Sequence, residues 1–138
     1  MSVNSEIELL NTVAQVIYDK KGFNIIAIDV RNLSTITDYL VIAEGNVDRH
    51  VSAIARALET ELKAHGENLL HEEGLENGDW VVLDFGRIMV HLFMPGLREA
   101  YSLERLWKDA KIVDLQIETG TAETQNAKSG TQNYTQTT

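Results

Sequence analysis

The chain of 138 residues contains no cysteine, which excludes a disulfide framework, a thiolate nucleophile and any cysteine metal ligand. It also lacks a long hydrophobic run. Apolar stretches such as Tyr39 to Ala43 fall far short of the roughly 20 residues that a membrane-spanning helix needs. The amino terminus, MSVNSEIELL, carries neither a basic region followed by an apolar stretch nor an arginine-rich transit pattern. These absences predict a soluble, cytoplasmic protein with no membrane partner. Basic clusters are missing too. With a formal net charge of −9 and no lysine or arginine patch to offset it, the surface repels phosphate backbones. Direct nucleic-acid binding is therefore disfavoured, and a basic protein is the complementary kind of partner.

What is present suits one α/β domain. Ser5 and Glu8 form an S-x-x-E capping box ahead of a helix with Leu10, Val13, Ala14 and Ile17 on one face, and Gly22 is its expected stop. Asn24 to Arg31 is β-branched and reads as a strand, and Tyr39 to Glu44 is apolar enough for a central one. Gly45 and Asn46 turn into a second helix whose face holds Val51, Ile54, Ala55, Leu58 and Leu62. Leu69 to Glu72 is a weak strand. Trp80 to Phe85 and Ile88 to Phe93 are strong ones, joined as a hairpin around Gly86 and Arg87. Leu97 to Ala110 reads as a last helix. The order α-β-β-α-β-β-β-α predicts a mixed sheet of about five strands with three helices. From Glu118 onward the composition is threonine, glutamine, asparagine and glycine with Tyr134 as the one large apolar residue. Such a segment cannot offset the entropy of ordering. The expected division is a domain over 1–117 and a disordered tail over 118–138.

Catalytic equipment is sparse. His50, His65, His71 and His91 show no metal-ligand spacing. Asp84 and His91 flank the hairpin, where a structural hydrogen bond between them is the expectation rather than proton transfer. Ser34, Ser52 and Ser102 have no evident base, and no glycine-rich phosphate loop exists. An enzyme alternative, a nucleotide-using transferase or a hydrolase, meets a specific obstacle in EGNVDRHV. That strand-to-helix junction has the single aspartate Asp48, where nucleotidyltransferases place two closely spaced carboxylates for Mg²⁺. A surface remains as the functional feature. Met89, His91 and Phe93 alternate with Ile88, Val90 and Leu92, so both faces of that strand are apolar, and Trp80 and Val82 oppose Val81, Leu83 and Phe85. Either both sheet faces are thinly covered, or one presents an apolar patch to a partner.

Three segments resemble the signatures of one family in order. DVRNLSTITDYLVIAEGNVDRHVSAIA is similar to a strand, an S-x-x-T-D loop, an apolar strand, a glycine and a helix with R-H-V. DWVVLDFGRIMVHLF is similar to a tryptophan strand, a D-x-G turn and a V-H strand, and REAYSLERLW to an R-x-x-Y-x-L-E-x-L-W helix. With Glu73 and Gly74 between them, the resemblance runs from about Glu6 to Ala110. The family is the ribosomal silencing factors, or Iojap-like proteins. The resemblance implies a translational repressor with a nucleotidyltransferase-like fold, no catalysis and no cofactor. It implies binding to a ribosomal protein on the joining face of the large ribosomal subunit, blocking association with the small one. Trp80, Met89, His91, Phe93, Arg98, Tyr101 and Glu104 are the expected partner contacts, with Leu103, Leu106 and Trp107 as core. Arg87 departs from the family, which often carries an acidic residue there, so no charge contact is carried over to it. An exposed sheet edge is compatible with a homodimer of the free protein.

Overall fold

The computed structural model describes residues 2–97 and 110–119. Helical periodicity sets both described helices. In α1, Ser2–Asp19, the stripe Leu10, Val13, Ala14 and Ile17 is fully buried, as expected. In α2, Asp48–Ala64, the buried set is Val51, Ile54, Ala55, Leu58 and Leu62. One expectation fails at the first helix. Its start at Ser2 places Ser5 inside the helix, so Ser5 and Glu8 do not form its capping box. Ser2, Asn4 and Ser5 all belong to residue types that suit a cap, and the box pattern alone does not choose among them. The other end stops as expected. Gly22 N–H donates to the Ile17 carbonyl and Lys21 N–H to that of Tyr18, both at 2.8 Å, with Lys21 in a left-handed conformation.

The strands are β1 Phe23–Asp29, β2 Tyr39–Glu44, β3 His71–Glu73, β4 Trp80–Asp84, β5 Ile88–Phe93 and β6 Lys111–Val113. They form one six-stranded mixed sheet in the order β3-β4-β5-β2-β1-β6. β2 and β5 run parallel across the connection containing α2, and every other neighbouring pair is antiparallel. All six residues of β2 are buried, as a central strand requires. The sheet has one strand more than expected, because β6 joins the outer edge of β1. A three-residue strand with exposed Lys111 and Ile112 has too little pattern of its own, and its pairing comes from β1.

Both helices pack on one face of the sheet. There the α1 and α2 stripes meet Ile25, Ala27, Tyr39, Val41, Ala43, Val81, Leu83, Phe85, Ile88, Val90 and Leu92. The opposite face has a second apolar cluster of Ile26, Ile28, Val30, Leu40, Ile42 and Phe93. Trp80, Met89, Leu97 and Ala110 pack against it from partly exposed positions. Of the last expected helix only its end positions, Leu97 and Ala110, are described. Arg98, Tyr101, Leu103, Glu104, Leu106 and Trp107 lie outside the described residues, as does the chain from 120 onward.

Two clasps tie the elements together. Asn46 N–H donates to His50 Nδ1 at 2.8 Å, so His50 Nε2 carries the proton and donates to the Lys20 carbonyl at 2.6 Å. The histidine of the R-H-V signature thus joins the end of α1 to the start of α2. At the far end of the sheet, the Arg87 guanidinium reaches Glu67 at 3.0 Å and Glu6 at 3.9 Å. The residue that departs from the family pattern is therefore engaged within its own chain.

Candidate functional site

The second face is unevenly covered, and its least covered described part lies over β3, β4 and β5. Strand register builds it in rows, because residues opposite one another share a face. Glu73 lies opposite Val82, and Val82 opposite His91. His71 lies opposite Asp84, and Asp84 opposite Met89. Trp80 lies opposite Phe93. Exposure falls along the middle row from exposed Glu73, through half-buried Val82, to His91 at 9% and Ile42 at 0%. His91 therefore stands where the patch meets the core.

Aromatic packing fixes its floor. The Trp80 and Phe93 rings stack at 5.2 Å with 22° between their planes, and His91 lies 5.9 Å from Trp80. The indole Nε1–H donates to His91 Nδ1 at 3.1 Å. Around this floor the patch has half-buried Trp80, Val82 and Met89, with Glu73, half-buried Asp84 and His71 at its margin. His71 Nε2 and Glu73 form an exposed pair at 2.9 Å. An apolar centre with carboxylates at its rim suits a basic protein surface.

Asp84 and His91 do not bond to one another, which corrects the sequence expectation. The short hairpin loop, closed by Phe85 N–H to the Ile88 carbonyl at 2.9 Å, places Asp84 opposite Met89 rather than His91. Asp84 instead accepts from Gly86 N–H at 2.8 Å and braces the turn. The other expected contacts separate by depth. Trp80 and Met89 are partly exposed, His91 is marginal, and Phe93 is fully buried beneath Trp80. Val82 and Glu73 join the patch without having been expected there as contacts. Only the pairing of β3 with β4 brings Glu73 to this face, although alternation along β4 already set Val82 beside Trp80.

Burial lowers the His91 imidazole pKa from 6.5 to about 4. The folded chain thus holds the ring neutral, whereas the unfolded ring begins to protonate near 6.5. The stabilisation is present above that value and is lost as pH falls toward 4, amounting to about 3 kcal/mol. Denaturant unfolding of the wild type and His91→Gln at pH 7.5 and pH 4.5, which together span most of the range from 6.5 to about 4, should show the wild type losing more stability. Parallel losses would contradict a buried neutral histidine.

Among the described residues, no cluster of three or more histidine, aspartate or glutamate side chains is placed to hold a metal ion. The Asp48 carboxylate accepts from the neighbouring Arg49 N–H at 2.7 Å. Among the described residues, no helix is long and apolar enough to cross a membrane.

Comparison with known proteins adds independent findings. Residues 3–138 match the family described as "Ribosomal silencing factor during starvation". The chain is 36% identical over 107 residues to the ribosomal silencing factor RsfS of Bacillus subtilis, covering 78% of this chain and 91% of that protein. A mouse protein named for mitochondrial assembly of the ribosomal large subunit is 39% identical over 74 residues, covering 51% of this chain and 32% of its own. A crystal structure of a Chromobacterium violaceum protein superposes with a TM-score of 0.70 at 32% identity, covering 74% of this chain and 86% of that one.

Proposed function

This chain belongs to the ribosomal silencing factor family, and from that premise we propose that it represses translation by occupying the joining face of the large ribosomal subunit. Membership makes it a ribosome-associated silencing factor. The finer reading is that it docks on a basic ribosomal protein in the cytoplasm and excludes the small subunit by occupancy, with no cofactor or reaction. The observation that carries the interface is the half-open apolar patch of Trp80, Val82 and Met89 with Glu73 and Asp84 at its rim. Phe93 supports that surface from below, and His91 closes its inner margin. Arg98, Tyr101 and Glu104 extend the contact in this reading, on the strength of the family signature. The mouse relative's name, which refers to the large subunit, points the same way.

Steric repression asks only that the bound protein persist where a bridge between subunits must form. Its affinity then competes with subunit joining by mass action. Cosedimentation with purified subunits should show binding to the large subunit alone and a loss of joined ribosomes. Binding to the small subunit, or joining that proceeds unimpeded at saturation, would refute the proposal. Salt reads the rim. Between roughly 50 and 500 mM the Debye length shrinks several-fold, so affinity should fall if carboxylates face a basic partner. Binding indifferent to salt would leave the apolar centre as the whole interface.

A further inference from the structure

His91 has one ring nitrogen spent and one unspent. Its Nδ1 accepts the Trp80 indole N–H, so in the neutral ring the proton sits on Nε2. Among the described residues no acceptor lies within hydrogen-bond reach of that N–H, although the side chain keeps only 9% of its surface. Leaving a buried donor without an acceptor is unfavourable, so such a group is ordinarily satisfied by something. Its place in the fold says what. His91 is the inner end of the row Glu73, Val82, His91, at the border between the open patch and the core.

We propose that His91 is the polar recognition point of this patch, its Nε2–H donating to a carbonyl oxygen of the ribosomal protein, while Trp80 locks the tautomer. The inference rests on the docking surface proposed above and names the chemistry of the partner segment that covers it. That segment carries an apolar side chain for Val82 and Met89, basic groups for Glu73 and Asp84, and a carbonyl aimed at His91. The charge of the chain, −9, and the carboxylates at the rim favour such a partner over a phosphate backbone. A neutral donor suits the position. It is cheaper to desolvate than an imidazolium, and it supplies direction within an otherwise apolar contact. Trp80 is a positioning residue in this scheme, because its N–H decides which imidazole nitrogen faces the partner.

Two measurements test it. Nitrogen-15 NMR of the free full-length chain should show His91 protonated at Nε2 alone at neutral pH, and Trp80→Phe should yield a mixture of tautomers. A wild-type ring protonated at Nδ1 overturns the proposal. Cosedimentation then compares His91→Phe, which keeps a ring but no donor, with His91→Gln, whose amide can accept from Trp80 and donate outward. Large-subunit affinity should drop about tenfold or more in His91→Phe and recover substantially in His91→Gln. If His91→Phe does not fold, Trp80→Phe carries the test, with a several-fold loss expected. Val82→Lys separates the two levels of the argument. If Val82→Lys abolishes binding while His91→Phe and Trp80→Phe bind like the wild type, the patch stands and the donor is refuted. If none of the three matters, the patch reading falls and this inference falls with it.

Discussion

A chain cut after Val113 should lose its cooperative thermal transition, whereas one cut after Thr119 should melt like the full-length protein. The six residues between those cuts are held along α1 by a ladder of side chains. Asn11 Oδ1 accepts from Gln116 N–H at 2.9 Å, and four residues on, Gln15 pairs both ways with the backbone of Glu118 at 2.8 Å each. Between these bonds Leu115 and Ile117 enter the main core at 1% and 8% exposure. Losing a buried leucine or isoleucine side chain costs about 2–5 kcal/mol each, and a domain of this size is stable by only about 5–15 kcal/mol. The cut also frees the end of β6. Leu115→Ala should alone cost about 3 kcal/mol, whereas Gln15→Ala should cost about 1 kcal/mol because its bonds are exposed. Denaturant unfolding of the four chains decides it. A chain ending at Val113 that unfolds near the wild-type midpoint would reduce this strap to decoration.

That strap shows where sequence reading stops. The helical stripes were legible because burial against a sheet imposes a period of 3.6 on the sequence itself, as the α2 set Val51, Ile54, Ala55, Leu58 and Leu62 demonstrates. β2 and β5 were legible as apolar runs, and the two-sided apolarity of β5 left open whether both faces are covered or one is bared, where the structure has an apolar cluster on each. β6 and the strap were not, since a three-residue strand and backbone-directed bonds from Asn11 and Gln15 leave little trace in side-chain pattern. The alternation Asp114, Leu115, Gln116, Ile117, Glu118 was the available signal. Tail composition overshadowed it. The fold's contacts with α1 continue to Glu118, one residue past the boundary expected at Ile117.

The patch divides similarly. Resemblance and alternation pointed to Trp80, Met89 and His91, and the structure places them on one face. Neither could supply depth. Phe93 shares the alternation of Met89 and His91, yet it is fully buried within the second apolar cluster, with Trp80 stacked on it. Nor could they supply register, which parts Asp84 from His91 and brings Glu73 beside Val82. Hairpin geometry decides both, and a single residue more in the loop would have changed them.

Gly74→Ala should be among the most damaging single substitutions in the domain and should weaken ribosome binding beyond its effect on stability. Gly74 has a φ of +88°, and a Cβ there would lie 2.0 Å from the Trp80 carbonyl oxygen and 3.1 Å from its carbon. The obstacle is backbone, at the first residue of β4, so relief requires moving the strand that presents Trp80. Gly66 supplies the control. It has nearly the same φ, +86°, at the end of α2, but a Cβ there meets nothing within 4 Å. Gly66→Ala therefore carries only the left-handed strain, about 1 kcal/mol. Gly74→Ala adds a clash with a paired strand and should cost about 4 kcal/mol, a melting-point loss several times larger. The displaced indole would also leave its stack on Phe93 and its bond to His91, so cosedimentation well below the melting temperature should fall as well. Gly66→Ala should bind the large subunit as the wild type does. If the two variants melt alike, the close approach of Gly74 to Trp80 is not a constraint on the fold. If Gly74→Ala melts low yet binds fully, Trp80 is not the contact its position suggests.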